Sequence, residues 1–408
     1  MKITREIANQ DVLGLARKNN VIIVEAATGF GKSKIAIDIH DYMKAGKIFY
    51  PKVLLLVNEI PHKQNWIDEY VKHKKALLTE NLTIECYASM KNHVNTTWDL
   101  VILDEAHHLS DLRQYFLETL RFSKLVLLSA TLTKDIRRAV EAMFFDKKIA
   151  KYRVSSKQAI ESEVLPEPQI FLHELELNNT HANQILTIKK GKPSPVVSTE
   201  FRFIPKYLKN YVGVRDMHLE VKCTELEKYN YLVEQVEYFK KAYFNDKQEF
   251  RKNLWMRKAL DRKIYLGELK TRYVLRCVSE MTNSDNYFER TIYFCTSIRQ
   301  ADSLGLKGTN VVHSKEKNVE RIISDFQEKK IHSLFCVNML REGMNLRDID
   351  TGYIIQLDGQ ELHFIQKMGR VMRAKNPKIH IIFFKSTRDE EYLEKILEHV
   401  DTKYVEFI

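Results

Sequence analysis

Cysteine, glycine and proline are all scarce in this chain, and long apolar runs are missing. The five cysteines (Cys86, Cys223, Cys277, Cys295 and Cys336) lie far apart with no Cys-x-x-Cys pair. That pattern argues against a zinc ribbon or an iron–sulfur cluster and predicts a reducing compartment. No apolar run exceeds five or six residues, as in Val53-Leu54-Leu55-Leu56-Val57, whereas a membrane-spanning helix needs about 20. The opening segment, Met1-Lys2-Ile3-Thr4-Arg5-Glu6, lacks the apolar stretch of a secretory signal. A cytoplasmic protein with no membrane partner is therefore expected. There is no internal repeat and no low-complexity tract. With only 13 glycines and eight prolines among 408 residues, the places where they cluster carry information.

What remains is ordinary globular composition, 44% hydrophobic and 29% charged. A chain of 408 residues is too long for one core, so two or three domains are expected. The net charge of +11 is unevenly spread, since residues 240–276 hold twelve Lys/Arg against four Asp/Glu. Such an excess points to a polyanion, although a solvated helix face would look the same.

Short apolar runs separated by helical-looking stretches occur in two groups. The first comprises Val21–Val24, Val53–Val57, Leu100–Leu103 and Leu125–Leu128; the second comprises Thr291–Phe294, Ser333–Val337, Gly352–Leu357 and His380–Phe384. Each has the length and branching of a strand buried on both faces, as in a parallel sheet covered by helices. The spacing predicts two doubly wound α/β lobes. Five of the eight prolines fall within residues 166–205, which marks a junction. Thr224-Glu225-Leu226-Glu227 has the form of a capping box, and a long helical stretch to about residue 276 should follow. One helix through residues 247–262 would put Lys247, Arg251, Lys258 and Arg262 on a common face. They are candidate nucleic-acid contacts, while Tyr229, Tyr238, Phe239, Tyr243, Phe250 and Trp255 are expected to pack inward. The expected division is a first lobe over 1–155, a junction over 156–178, a mainly helical basic insertion over 179–286, and a second lobe over 287–408.

Two of the few glycines stand in Ala26-Ala27-Thr28-Gly29-Phe30-Gly31-Lys32-Ser33, directly after the Val21–Val24 strand. This is a Walker A loop with alanine at the first glycine position. Its backbone N–H groups, with Thr28, Gly29 and Gly31, can cradle phosphates at a helix N-terminus. Lys32 would reach the β- and γ-phosphates of ATP, and Ser33 would ligate Mg²⁺. Further on, the apolar strand Leu100–Leu103 delivers Asp104 and Glu105 at its C-terminal end, the edge where open α/β sheets bind ligands. Asp104 suits the Mg²⁺ water shell, and Glu105 suits the attacking water.

Asp104-Glu105-Ala106-His107 resembles the DEAH box of superfamily 2 helicases, and further motifs appear in that family's order. Ser129-Ala130-Thr131 resembles motif III and Val53–Trp66 the motif Ia region. Tyr293–Ser297 resembles motif IV, Arg341-Glu342-Gly343-Met344-Asn345 motif V, and Gln366-Lys367-Met368-Gly369-Arg370-Val371-Met372-Arg373 motif VI. Gln10 lies upstream of the Walker loop much as the family's adenine-reading glutamine does. The resemblance covers residues 1–155 and 287–408 and implies two RecA-like lobes clamping ATP and Mg²⁺. It also implies that Gln366, Arg370 and Arg373 act across the cleft, and that His107, Ser129, Thr131 and Gly343 couple nucleotide state to nucleic acid. The glutamine-led motif VI and the Glu-Gly-x-Asn motif V look like those of DNA motors: type III restriction subunits, XPB-type helicases and bacteriophage branch-migration helicases. They look less like RNA-directed DEAD-box proteins. DNA is thus favoured over RNA as partner, and a compact motor of phage or bacterial type is expected, acting on branched DNA. The rival readings are a duplex translocase that separates no strands, an RNA helicase, and an inactive binding module. Intact Lys32, Asp104, Glu105, Arg370 and Arg373 weigh against the last.

Overall fold

The computed structural model describes residues 2–45, 47–190, 196–199, 217–282, 289–337, 346, 349–357, 371, 374–398 and 401–408. The first lobe opens with α1 (Arg5–Lys18), capped by the Thr4 hydroxyl. There follow β1 (Val21–Ala26), α2 (Lys32–Lys44), β2 (Val53–Val57) and α3 (Pro61–Lys72, with proline in the first turn). Next come β3 (Leu82–Cys86), β4 (Thr97–Leu103), α4 (Asp111–Thr119), β5 (Arg121–Ser129), α5 (Lys134–Met143) and β6 (Ile149–Val154). Six parallel strands form one sheet in the order β3-β2-β4-β5-β1-β6. Every residue of β1 and β2 is buried, because helices cover both faces and no alternation is needed.

A short helix, α6 (Ser156–Glu161), closed by a capping box at Ser155 and Gln158, leads out of the first sheet. The next strand, β7 (Gln169–Leu175), lies within the expected junction and pairs in the second sheet with β15 (Lys378–Phe384), about two hundred residues on. The expected helical insertion begins with strands instead. β8 (Gln184–Lys190), β9 (Val196–Thr199) and β10 (Met217–Cys223) form a three-stranded sheet in the order β8-β10-β9. Gln184-Ile185-Leu186-Thr187-Ile188 and Leu219-Glu220-Val221 carry the β-branched, partly alternating pattern of strands, which the nearby prolines obscure.

The capping box at Thr224 and Glu227 forms as the sequence predicts and starts α7 (Glu225–Asp246). It folds back on α8 (Glu249–Leu269) as an antiparallel arm, and α9 (Thr271–Thr282) returns the chain to the body. The second lobe comprises β11 (Thr291–Phe294), α10 (Ile298–Leu304), β12 (Val311–Val312), α11 (Val319–Gln327), β13 (Ser333–Cys336), β14 (Thr351–Ile354), β15, α12 (Arg388–Leu397) and β16 (Val405–Phe407). Its seven parallel strands run β12-β13-β11-β14-β15-β7-β16. An aromatic ladder marks the register. Phe335, Tyr293, Tyr353, His380 and Phe171 are cross-strand partners on five neighbouring strands, with ring centroids 4.4–4.8 Å apart. Such directly opposed pairs are the unit of sheet stabilisation.

Candidate active site

Between β1 and α2 the chain must reverse tightly and still present its amides, and two glycines make this possible. Gly29 has φ 86° and Gly31 φ 108°, values that strain any residue with a Cβ. The N–H groups that open α2, ahead of Ile35, whose N–H donates to the Gly31 carbonyl at 3.3 Å, lack partners within the helix and carry the positive end of its dipole. Lys32, buried at the start of α2, turns back so that Nζ donates to the Ala26 carbonyl at 3.0 Å. The Thr28 hydroxyl is buried without a hydrogen-bond partner. Leaving such a group unmet costs about 1–3 kcal/mol. An anion seated over the loop would meet the hydroxyl, the amides and the ammonium together, so these residues fit a phosphate. Ser33 follows at the second position of the helix, half-buried.

The carboxylates sit beyond β4. Asp104 is held at three points: its N–H donates to the Leu56 carbonyl at 2.9 Å, its carbonyl accepts from Tyr87 Oη at 2.9 Å, and its Oδ2 accepts from Trp66 Nε1 at 2.7 Å. Burial, followed by the charge of Glu105, pushes the Asp104 carboxyl up to about 7, against the pull of Trp66 and Lys32. Glu105 has φ 49°, a left-handed conformation that a residue with a Cβ adopts at a cost of about 1–3 kcal/mol. Its Oε2 lies 3.4 Å from His107 Nδ1.

Because β5 lies between β1 and β4, Ser129 at its end reaches the space between the phosphate loop and the acidic turn. Its hydroxyl donates to the Thr131 carbonyl at 2.7 Å and lies 3.2 Å from His107 Nδ1. With its hydrogen directed at Thr131, the Ser129 oxygen is left to accept, which puts the His107 proton on Nδ1. Thr28, Gly29, Gly31, Lys32, Ser33, Asp104, Glu105, His107, Ser129 and Thr131, all singled out from the sequence, thus lie at the C-terminal ends of three neighbouring strands.

Gln10 is exposed on α1. The α1 residue that reaches the loop is Arg5, whose guanidinium donates to the Gly29 carbonyl at 3.1 Å and the Val164 carbonyl at 3.2 Å. Gly343, Gln366, Arg370 and Arg373 lie outside the described residues. The basic face expected on the arm does not form. Lys247 sits in the turn between the helices at φ 55°, and Arg262 is buried at the arm's root. Arg251 pairs with Asp246 at 3.0 Å and Lys258 with Asp261 at 3.4 Å. Nor do all the aromatic residues turn inward. Tyr229 is buried and Tyr243 stacks on Trp255, but Tyr238 and Phe250 are more than half exposed. A two-helix arm has too little interior to bury them all.

Three residues at the site escaped sequence reading: Arg5, Trp66 as a hydrogen-bond donor, and Glu25. The Glu25 carboxylate is buried at the end of β1 and accepts from the Leu132 N–H at 3.1 Å and from Arg137 at 3.0 Å. It thereby ties the strand before the phosphate loop to the segment after Ser129. A charge at the end of a buried strand was the available signal for Glu25.

Residues 2–134 match the family described as type III restriction enzyme, res subunit, and residues 270–375 match the helicase conserved C-terminal domain. Among curated proteins, the ATP-dependent RNA helicase SUB2 of Saccharomyces cerevisiae is 28% identical over 151 residues, covering 35% of this chain and 34% of that protein. SUB2-2 of Vanderwaltozyma polyspora is 29% identical over 131 residues, 30% of each. The chain thus spans about a third of the length of these relatives. Among solved structures, the Hef helicase domain of Pyrococcus furiosus has a TM-score of 0.51 at 15% identity, covering 97% of this chain and 99% of that one. S. cerevisiae Dbp5 bound to RNA and ADP BeF3 has 0.57 at 13% identity, covering 98% and 89%. The type ISP restriction–modification enzyme LlaBIII bound to DNA has 0.58 at 12% identity, covering 100% and 31%. At such identities the likeness to the solved structures is one of fold. With both helicase domains matched in order and two parallel-sheet lobes to carry them, the chain belongs to the superfamily 2 helicases, on their type III restriction-like side.

Proposed function

We propose that this helicase couples ATP hydrolysis to movement on DNA, unwinding or remodelling branched substrates. The observation that carries the ATPase half is the convergence of Lys32, Asp104, Glu105, His107 and Ser129 at the ends of β1, β4 and β5. In this reading the loop amides, Thr28 and Lys32 hold the phosphates of ATP. Ser33 and Asp104 would hold Mg²⁺, whose charge would offset that of the phosphates. Hydrolysis supplies the free energy of the cycle. Glu105 takes the proton of the attacking water. His107, through Ser129 and Thr131, relays the state of the phosphate site. Gln366, Arg370 and Arg373 complete the site from the second lobe.

DNA is favoured by the glutamine-led motif VI and by the likeness of residues 2–134 to a restriction-enzyme subunit. The arm's exposed bases, Lys241, Lys247 and Arg257, are the contacts proposed for the DNA backbone. An RNA substrate is the second reading, favoured by the similarity to SUB2. ATP turnover by wild type and Lys32→Ala with single-stranded DNA, forked DNA and RNA decides between them. Stimulation by forked DNA, lost in Lys32→Ala, is expected. Stimulation by RNA alone would overturn the DNA reading.

A further inference from the structure

Trp66 lies on α3 and is 3% exposed. Its indole nitrogen is a donor only, so once buried it must find an acceptor. That acceptor is Asp104 Oδ2, at 2.7 Å. One turn further along the same face of α3, Tyr70 meets His40 of α2, with 2.9 Å between Oη and Nδ1 and both residues fully buried. The Trp66 and Tyr70 rings are 6.4 Å apart, as residues four apart on a helix should be. α3 is therefore braced at Tyr70 against the helix that begins with Lys32 and, one turn earlier at Trp66, against the acidic turn. The Asp104 backbone is pinned separately, through Leu56 and Tyr87. The indole contact, with the backbone already held, sets the rotation of the carboxylate about its last bond.

We propose that Trp66 is a positioning residue for metal binding: its N–H holds one Asp104 oxygen and thereby turns the other toward the cation. The proposal rests on the reading of Asp104 as the metal-holding carboxylate. Outer partners that orient a ligating carboxylate typically govern about 10–100-fold in metal affinity. Neither α3 nor its tryptophan needs to touch the nucleotide for this to hold.

The test uses the whole chain and a fluorescent ADP analogue, with the dissociation constant measured in Mg²⁺ and in EDTA. Trp66→Phe keeps a buried ring but deletes the donor. It should leave the constant in EDTA within about twofold of wild type and cut the gain from Mg²⁺ by about tenfold or more. Tyr70→Phe loosens the adjacent turn of α3 without touching Asp104, and should lower the melting temperature while keeping the Mg²⁺ gain. If Trp66→Phe merely unsettled the helix, the two variants would behave alike, and the proposal would fall. Asp104→Asn separates this failure from that of the underlying reading. If it keeps the Mg²⁺ gain, the carboxylate reading itself is wrong; if it loses the gain while Trp66→Phe retains it, only the role of Trp66 is wrong. A second measurement avoids substituting Trp66. In Trp98→Phe/Trp255→Phe, where Trp66 is the sole tryptophan, adding Mg²⁺ to the ADP-bound chain should change its emission. An unchanged spectrum counts against the proposal.

Discussion

Lys270 and Asp389 form an ion pair sealed inside the second lobe, and removing either partner should be among the most damaging single changes in the chain. The two side chains are 0% and 1% exposed, with Nζ and Oδ2 2.6 Å apart. Nζ also donates to the carbonyls of Ile355 and Ile382, each at 2.7 Å. One ammonium thus joins the start of α9 to β15, to the residue after β14 and to α12. Asp389→Leu leaves that charge buried with two carbonyls for company, and Lys270→Met leaves a buried carboxylate without its cation. Each should cost about 3–5 kcal/mol. In a lobe of this size that is a fall of roughly 6–20 °C in melting temperature. The double variant removes both charges and should fall short of the summed losses by on the order of 3 kcal/mol. Urea and thermal melts of the four proteins measure this cycle. The exposed pair Lys2–Glu163, at 2.7 Å, supplies the contrast and should contribute under about 1 kcal/mol. Single losses below about 1 kcal/mol, or strictly additive ones, would refute the reasoning.

Glu105→Gln should still bind ATP while turnover collapses by on the order of 10² or more; near-normal turnover would remove Glu105 from the proton-accepting role. Gly31→Ala meets no atom within 4 Å at its new Cβ, so its cost is backbone strain alone. About 1–2 kcal/mol should appear as a roughly 5–30-fold weaker nucleotide affinity with little change in melting temperature, and unaltered binding would contradict the geometry. Burial lowers His173 to about 4, and burial with its neighbours His173 and Lys378 lowers His380 to about 3. Both are neutral when folded but take up protons near pH 6.5 when unfolded, so their contribution is complete above that pH and is lost as pH falls toward 4. The second lobe should lose up to about 1.4 kcal/mol per pH unit for each histidine. His173→Gln/His380→Gln should flatten the slope measured by melts between pH 7.5 and 5, and an equal slope would exclude these groups as its source.

Much of the active site is legible in the chain order because its chemistry is local. The turn between β1 and α2 needs glycine wherever φ is positive. The carboxylates need only follow an apolar strand, as Asp104 and Glu105 do. The two groups of buried strands were equally plain, since a strand covered on both faces is a short run of branched residues. Strands paired from afar were not. Nothing in Gln169–Leu175 says that it completes a sheet with Lys378–Phe384. Likewise Val311-Val312 and Val405–Phe407 are too short to declare themselves.

The sequence by itself determined the lobes, the phosphate loop, the acidic turn and the family, because each rests on residues a few positions apart whose backbone geometry is dictated locally. Only the tertiary structure decided that Arg5 meets the loop, that Trp66 holds Asp104, and that Arg262 is buried while Tyr238 is exposed. These depend on which faces of separate helices come together. A helix records its buried face in its periodicity but not the identity of its neighbour, so hydrogen bonds across such contacts become visible only when the lobes are packed.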